Sequence, residues 1–191
     1  MQNSLFTEQQ LGDIDQSKSR KEKVRSNAII SACGKYRYML SRVWDDDAFR
    51  PMVAFIMLNP STADATKDDN TIRRCISFAK DWGYSGIYVA NLFAYRATDP
   101  KELLSVKDPV GEKNDYYLSR LQIQGNNCDI VFAWGRFPEH IKRMKEVLKI
   151  FPFGMAIKVS KEGFPMHPLY LPKGLKPDHY IGLPNRNSKK R

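Results

Sequence analysis

Three runs of this chain are apolar on both faces: MVAFIML at 52–58, GIYVANLFA at 86–94 and DIVFAWG at 129–135. A strand that shows water neither face belongs in a sheet covered on both sides, and such sheets are built from parallel strands joined by helical crossovers. The segments between these runs have the helical period. TIRRCISFAKDWG puts Ile72, Cys75, Ile76 and Ala79 on one face, follows the capping candidates Asp69 and Asn70, and stops at Gly83. TDPKELL opens a further helix, with Asp99 as cap, Pro100 in the first position and Glu102 three residues after the cap. Another amphipathic stretch covers roughly 111–123, and PEHIKRMKEVLKIF buries Ile141, Met144, Val147, Leu148 and Phe151 before the short fourth strand GMAIKVS at 154–160. Upstream, KYRYMLSRVW at 35–44 alternates as a half-buried strand, and DDDAFRP turns the chain back. The expected fold is α/β: a three-layer α/β/α domain with a central, mostly parallel four-stranded sheet plus an antiparallel strand near 36–43. The expected organisation is a polar, basic segment at 1–34, a single domain at 35–183 and a basic tail at 184–191, with no internal repeat.

The 191 residues, 42% apolar and 12% aromatic, suffice for one packed core. No stretch approaches the roughly 18 to 20 uncharged apolar residues of a membrane span, and MQNSLFTEQQLGDIDQ lacks a basic-then-apolar leader pattern, so a soluble, cytoplasmic protein is expected. Cys33, Cys75 and Cys128 are far apart, without a CxxC pair or a histidine at ligand spacing, which argues against a structural zinc or a cluster held by four thiolates. The net charge of +10 favours a polyanionic partner, most often nucleic acid, although charge also serves solubility. SKSRKEKVR from Ser17 to Arg25 and the terminal NRNSKKR would either follow a phosphate backbone or lie solvated.

In sheets of this type ligands sit beyond the carboxyl ends of the strands. That rule selects Asn59-Pro60-Ser61-Thr62, Asn91, Trp134-Gly135-Arg136 and the segment GFPMHPLYLPK at 163–173, all expected on one rim. There is no GxxxxGK[ST] phosphate loop and no GxGxxG turn, and Ser61 follows a proline rather than sitting on a GxSxG elbow. Nucleotide hydrolysis, dinucleotide redox chemistry and serine-hydrolase chemistry thus lose their usual signatures.

The ordered set MLNPS, YVANLF, IVFAWG and HPLYL resembles the motifs of the uracil-DNA glycosylase superfamily. MLNPSTADA, DDNTIRRC, NLFAYRATDP and HPLYLPK are similar to a bacterial and phage family, domain of unknown function 1643, over roughly residues 35–173. The first resemblance implies that Asn59 holds an attacking water, that Asn91 reads a flipped base, and that His167 donates to the base carbonyl as the N-glycosidic bond breaks. It also implies that Leu169, Tyr170 and Leu171 lie where relatives carry a wedge. A monofunctional DNA glycosylase with no metal and no cofactor follows. Such chemistry needs a donor at the base oxygen, an oriented water and extraction of the base from the duplex.

This chain departs from the pattern in three ways: no glycine stands two residues before Asn59, Leu169 replaces the usual serine, and no aromatic follows Asn59 closely. Tyr36, Trp44, Phe93 and Trp134 are the stacking candidates. Where strict uracil enzymes carry a bulky aromatic after the motif's proline, this chain has Ser61, which implies a pocket open to 5-substituted pyrimidines, including modified phage bases.

Each of these residues has a second reading. Asn59-Pro60 reads equally as a turn, and His167 and Asn91 as satisfied loop and core groups. Asp64, Asp68 and Asp69 suit a hard metal, but Asp68 and Asp69 also suit a helix N-terminus, and Asp64 suits orienting a water. Arg73, Arg74, Arg96, Arg136 and Lys173 are phosphate candidates or surface charges. Lys158, Lys161 and Lys173 carry no mark of a desolvated Schiff-base lysine. The expected role is repair of uracil or mismatched bases, or defence against modified phage DNA. The rivals are a non-catalytic nucleic-acid-binding module and an N-glycosidase of free nucleosides or nucleotides.

Overall fold

The structure is a computed structural model that describes residues 24–183 except 48 and 124–127. The basic run ahead of Val24 and the tail from 184 lie outside the described residues.

In chain order the strands are β1 (Arg25–Ile30), β2 (Arg37–Val43), β3 (Met52–Met57), β4 (Gly86–Asn91), β5 (Cys128–Phe132), β6 (Met155–Ala156) and β7 (Asp178–His179). The helices are α1 (Asn70–Asp81), α2 (Asn114–Ile123) and α3 (Ile141–Ile150). The strands form one sheet in the order β1-β2-β4-β3-β5-β6-β7. Its centre, β4-β3-β5-β6, is parallel, while β1, β2 and β7 are antiparallel to their neighbours. The parallel centre consists of the four strands expected from the apolar runs.

The two-residue period of β3 divides the core. Val53, Phe55 and Met57 face Ile72, Cys75, Phe78 and Ala79 of α1, whereas Ala54 and Ile56 face Leu118 and Leu121 of α2 with Met144 and Val147 of α3. Phe55 and Ile56 are fully buried, and each such side chain contributes about 1.5–3 kcal/mol by leaving water. Three layers result.

The sequence expectation was too small by two strands. β1 lies in the segment read as merely polar, and it pairs along its whole length with β2. β7 extends the other edge by two residues against β6. TDPKELL is a 3-10 turn, Pro100–Leu104, rather than an α-helix. Its capping box forms as the sequence implies, with Asp99 accepting from Lys101 N and Glu102 reaching back to Asp99 N, but only Leu103 is buried there and the chain reaches Pro109 before a second apolar turn can form. The fourth strand pairs only at Met155–Ala156; beyond it Val159 makes a single bridge to Pro165. None of the helices among the described residues is long and apolar enough to cross a membrane.

Candidate functional site

Register brings the carboxyl ends of the three central strands level. Met57 pairs with Asn91 and Ile56 with Phe132, and just beyond the strands Leu92 N donates to Met57 O and Ala133 N to Ile56 O, each at 2.8 Å. The segment after β6 folds back over these ends, with Gly135 N donating to Pro165 O at 3.0 Å and Met166 N to Lys158 O at 2.8 Å. Between the strand ends and this segment lies a cleft of about 600 Å³. Asn59 and Ser61 line it from the end of β3, Asn91 from β4, Trp134 and Arg136 from β5, and His167, Leu169 and Tyr170 from the returning segment. The convergence expected from the strand-end rule is thus observed.

Asn59 has its carboxamide fixed by its donors: Nδ2 donates to Ala97 O at 2.8 Å and to Pro60 O at 3.1 Å. Carbonyl oxygens only accept, so Oδ1 is the end left without a partner among the described residues. Asn91 is fixed in the opposite sense. It is 1% exposed, and its Oδ1 accepts from Arg37 Nη2 at 3.5 Å. A guanidinium only donates, so the amide must turn its oxygen there, and Nδ2 is left buried without a partner. The backbone around it is held as well: Asn114 Nδ2 donates to Asn91 O and Leu92 O at 3.1 and 3.0 Å, and Arg143 Nε donates to Leu92 O at 2.8 Å.

Arg37 itself lines the cleft and donates through Nη1 to Ala63 O at 2.9 Å. Burial lowers its pKa to about 10, so it stays cationic at neutral pH. Trp134 is fully buried against Phe132 and Tyr180, and its Nε1, like Arg37 Nε, has no partner among the described residues. Asn91 Nδ2, Trp134 Nε1 and Arg37 Nε thus belong to residues that line one cleft, and a buried donor left unmade costs about 1–3 kcal/mol.

His167 caps the 3-10 turn Pro168–Tyr170, its Nδ1 accepting from Leu169 N at 3.3 Å. That bond puts the imidazole proton on Nε2, a donor. Burial lowers the pKa of His167 from its ordinary 6.5, with Asp69 pulling weakly the other way, so the ring is neutral at pH 7. Gly135 makes the turn from β5 at φ +83°, a left-handed conformation suited to glycine, and a Cβ there would lie 3.3 Å from the Phe137 ring.

Asp69 and Arg136 line the cleft too, and the expected site residues not yet named lie off it. Pro60 is buried, and its carbonyl accepts from Ala97 N at 3.0 Å. Thr62 and Arg96 line a neighbouring depression. Asp64 accepts from Thr66 N, Thr66 Oγ1 and Lys67 N, bonds that hold its carboxyl below the usual range. Leu171 is core, packed in the α1 layer, so only Leu169 (39% exposed) and Tyr170 (78% exposed) of the three-residue wedge reach the surface. Arg73 is exposed and bonds Asp68 O and Asn70 Oδ1, both at 2.6 Å. Arg74 donates to Leu171 O and stacks on Phe78 with its guanidinium carbon 4.7 Å from the ring centre, which ties the returning segment to α1. Arg136 pairs with Glu162 at 3.5 Å, and Lys173 is exposed. Asp68 pairs with the buried Arg42 at 2.8 Å, and Asp69 caps α1 by accepting from Ile72 N at 2.8 Å.

Of the four stacking candidates only Trp134 lines the cleft. Tyr36 packs with Tyr38 and Tyr95, Trp44 lies under Lys80, and Phe93 meets His140 edge-on. Sequence reasoning missed Arg37 and Phe137, took in Phe164 only as part of the segment 163–173, and saw in Asp69 a metal candidate or a cap, although all four line the cleft. Phe137 follows the Trp134-Gly135-Arg136 turn directly, a signal that was available; an arginine inside an alternating strand carries none.

No curated protein and no solved structure matches the chain. The family model described as "Protein of unknown function (DUF1643)" matches residues 37–169, most of the 191-residue chain and all of the strands and loops that build the cleft floor, and the chain therefore belongs to that family.

Proposed function

We propose that this protein is a monofunctional DNA glycosylase that flips a base into the cleft and hydrolyses its N-glycosidic bond, leaving an abasic site. One observation carries the reading: Asn59 Oδ1, Asn91 Nδ2 and the His167 Nε2 proton, all without a protein partner among the described residues, belong to side chains around a single cleft. These are the groups the reaction requires. As the bond from C1′ to the base nitrogen breaks, its electron pair leaves with the base, and His167 Nε2–H donates to the base oxygen where that charge gathers. A water accepted by Asn59 Oδ1 then bonds to C1′ and releases a proton to solvent or to the departed base. After substantial dissociation the water needs positioning more than deprotonation, which an amide can supply.

Asn91 is fixed as a donor by Arg37, so it reads an acceptor on the base, a ring imine nitrogen or a carbonyl oxygen. Ser61 keeps the side of the cleft near Asn59 free of a bulky ring, which suits a 5-substituted pyrimidine such as a hydroxymethylated or glucosylated cytosine. The cleft volume falls within the range of small-molecule sites. Leu169 and Tyr170, exposed at its mouth, suit the vacated place in the base stack.

The test is an assay of abasic sites and released bases by mass spectrometry on unmodified, uracil-containing, hydroxymethylcytosine-containing and glucosylated DNA. Release from one substrate is expected, with Asn59→Ala and His167→Ala each lowering the single-turnover rate by on the order of 10²-fold or more while DNA binding is kept. DNA binding without release from any substrate would turn the protein into a binding module; release only from nucleosides or nucleotides would make it an enzyme of the free pool.

A further inference from the structure

A second depression adjoins the cleft and shares Ser61, Ala97 and Thr98 with it. Its volume is about 300 Å³, and its other walls include Lys35, Arg96, Thr62 and Glu102. Lys35 is exposed and makes no ion pair with a described residue. Among the described residues the Arg96 guanidinium makes one hydrogen bond, from Nη1 to Gly34 O at 3.3 Å, and its buried Nε has no acceptor. Glu102, on the wall, accepts from Asp99 N at 3.3 Å, and Asp64, whose carboxyl Arg96 helps to hold below the usual range, accepts from Thr66 N and Lys67 N at 2.8 and 2.9 Å. Neither closes an ion pair with Arg96.

Two cations, Lys35 and Arg96, and four hydroxyl residues, Ser61, Thr62, Tyr95 and Thr98, outnumber the one carboxylate, Glu102, around this concavity and suit a tetrahedral oxyanion. The wall of Ser61, Ala97 and Thr98 that it shares with the cleft puts such an anion directly beside the cleft. We infer that this depression binds a phosphodiester of the DNA strand whose base enters the cleft. The inference rests on the glycosylase reading and adds to it a strand-holding subsite that carries no base preference. Lys35 and Arg96 reach it from the turn before β2 and the turn after β4, so the strand is held against the same loops that orient Asn59.

Binding of labelled single-stranded oligonucleotides is measured across a salt series with the full chain carrying Asn59→Ala, which removes turnover, and with Lys35→Gln or Arg96→Gln added; thermal melting verifies the fold of each. Each added substitution should flatten the slope of log affinity against log salt by about 0.7 and weaken strands of different sequence equally. Unchanged slope and affinity in both variants overturns the inference. If no base is released from any DNA yet the slope depends on Lys35 and Arg96, the glycosylase reading fails and the phosphate site stands. If base is released and both variants bind like the parent, the phosphate site fails and the glycosylase reading stands.

Discussion

At the floor of the cleft the amides of Asn59 and Asn91 each have neighbours that leave them one orientation. Arg37 turns the Asn91 amide, two carbonyls turn the Asn59 amide, and Asn114 and Arg143 hold the backbone of 91 and 92. At the rim less is held: the Tyr170 side chain is 78% exposed and meets the His167 ring at a tilt, and Arg136 has one ion pair, at 3.5 Å, between half-exposed partners. The difference teaches where specificity and affinity reside. In the proposed glycosylase a preorganised floor would read one edge of one base, because its amides are already oriented. On the same proposal a loosely held rim would supply stacking surface and charge, which tolerate any sequence.

The largest effect should come from undoing the scaffold of the floor. Arg42 is 2% exposed; it bonds Asp68 at 2.8 Å and Asp64 O at 2.6 Å, fixing the loop between Asn59 and α1. Arg42→Met should lower unfolding free energy by about 3 kcal/mol in a denaturant titration, because it strands a partly buried carboxylate and a carbonyl. An unchanged midpoint would show that the loop holds itself. Next in size, Tyr170→Ala should weaken binding of single strands by about 1–3 kcal/mol, the worth of one stacked base, while leaving the melting temperature unaltered. A loss of stability instead would make Tyr170 part of the floor.

The smallest effect sharpens the same contrast through pH. Burial depresses the pKa of His167 below 6.5, so the folded protein takes up its proton at lower pH than the unfolded chain does. The burial of the ring therefore costs nothing above about pH 6.5, and a penalty grows as pH falls through that value to the folded pKa, where it is complete. Protonation also removes the Nδ1 lone pair that accepts from Leu169 N, loosening the turn that carries Leu169 and Tyr170. The rate of base release should fall on the acid side with a midpoint below 6.5, and that limb should vanish in His167→Gln. An acid limb that persists in the variant assigns the titration elsewhere, with His140, whose pKa burial also lowers, the first group to examine.

The strands of the sheet centre were legible because burial on both faces leaves an unbroken apolar run, and the caps at Asp69 and Asp99 because capping is local chemistry. The strand-end rule then found Asn59, Asn91, Trp134 and His167. β1 was not legible: RSNAII is half exposed, and an edge strand gains its order from backbone pairing with β2, which leaves little pattern in its own side chains. β7 is two residues long. Arg37 escaped for a different reason. In YRYMLSRV it occupies the place of an outward-facing polar residue, and only the loop that folds over the strand end makes it a buried partner of Asn91. Leu171 was misjudged because a core leucine and a wedge leucine look alike in HPLYL; packing against the α1 layer decides between them.

The central claim is that Asn91, held by Arg37, donates to a base in the cleft. The most direct test follows the Asn91 carboxamide proton and nitrogen resonances by NMR while an oligonucleotide carrying the released base is titrated into Asn59→Ala protein, alone and with Arg37→Met. A downfield shift of the Asn91 amide protons on binding, lost or redistributed in the Arg37 variant, is the result predicted here. Resonances that stay in place while the strand binds would contradict it, and would leave the cleft floor without its reader.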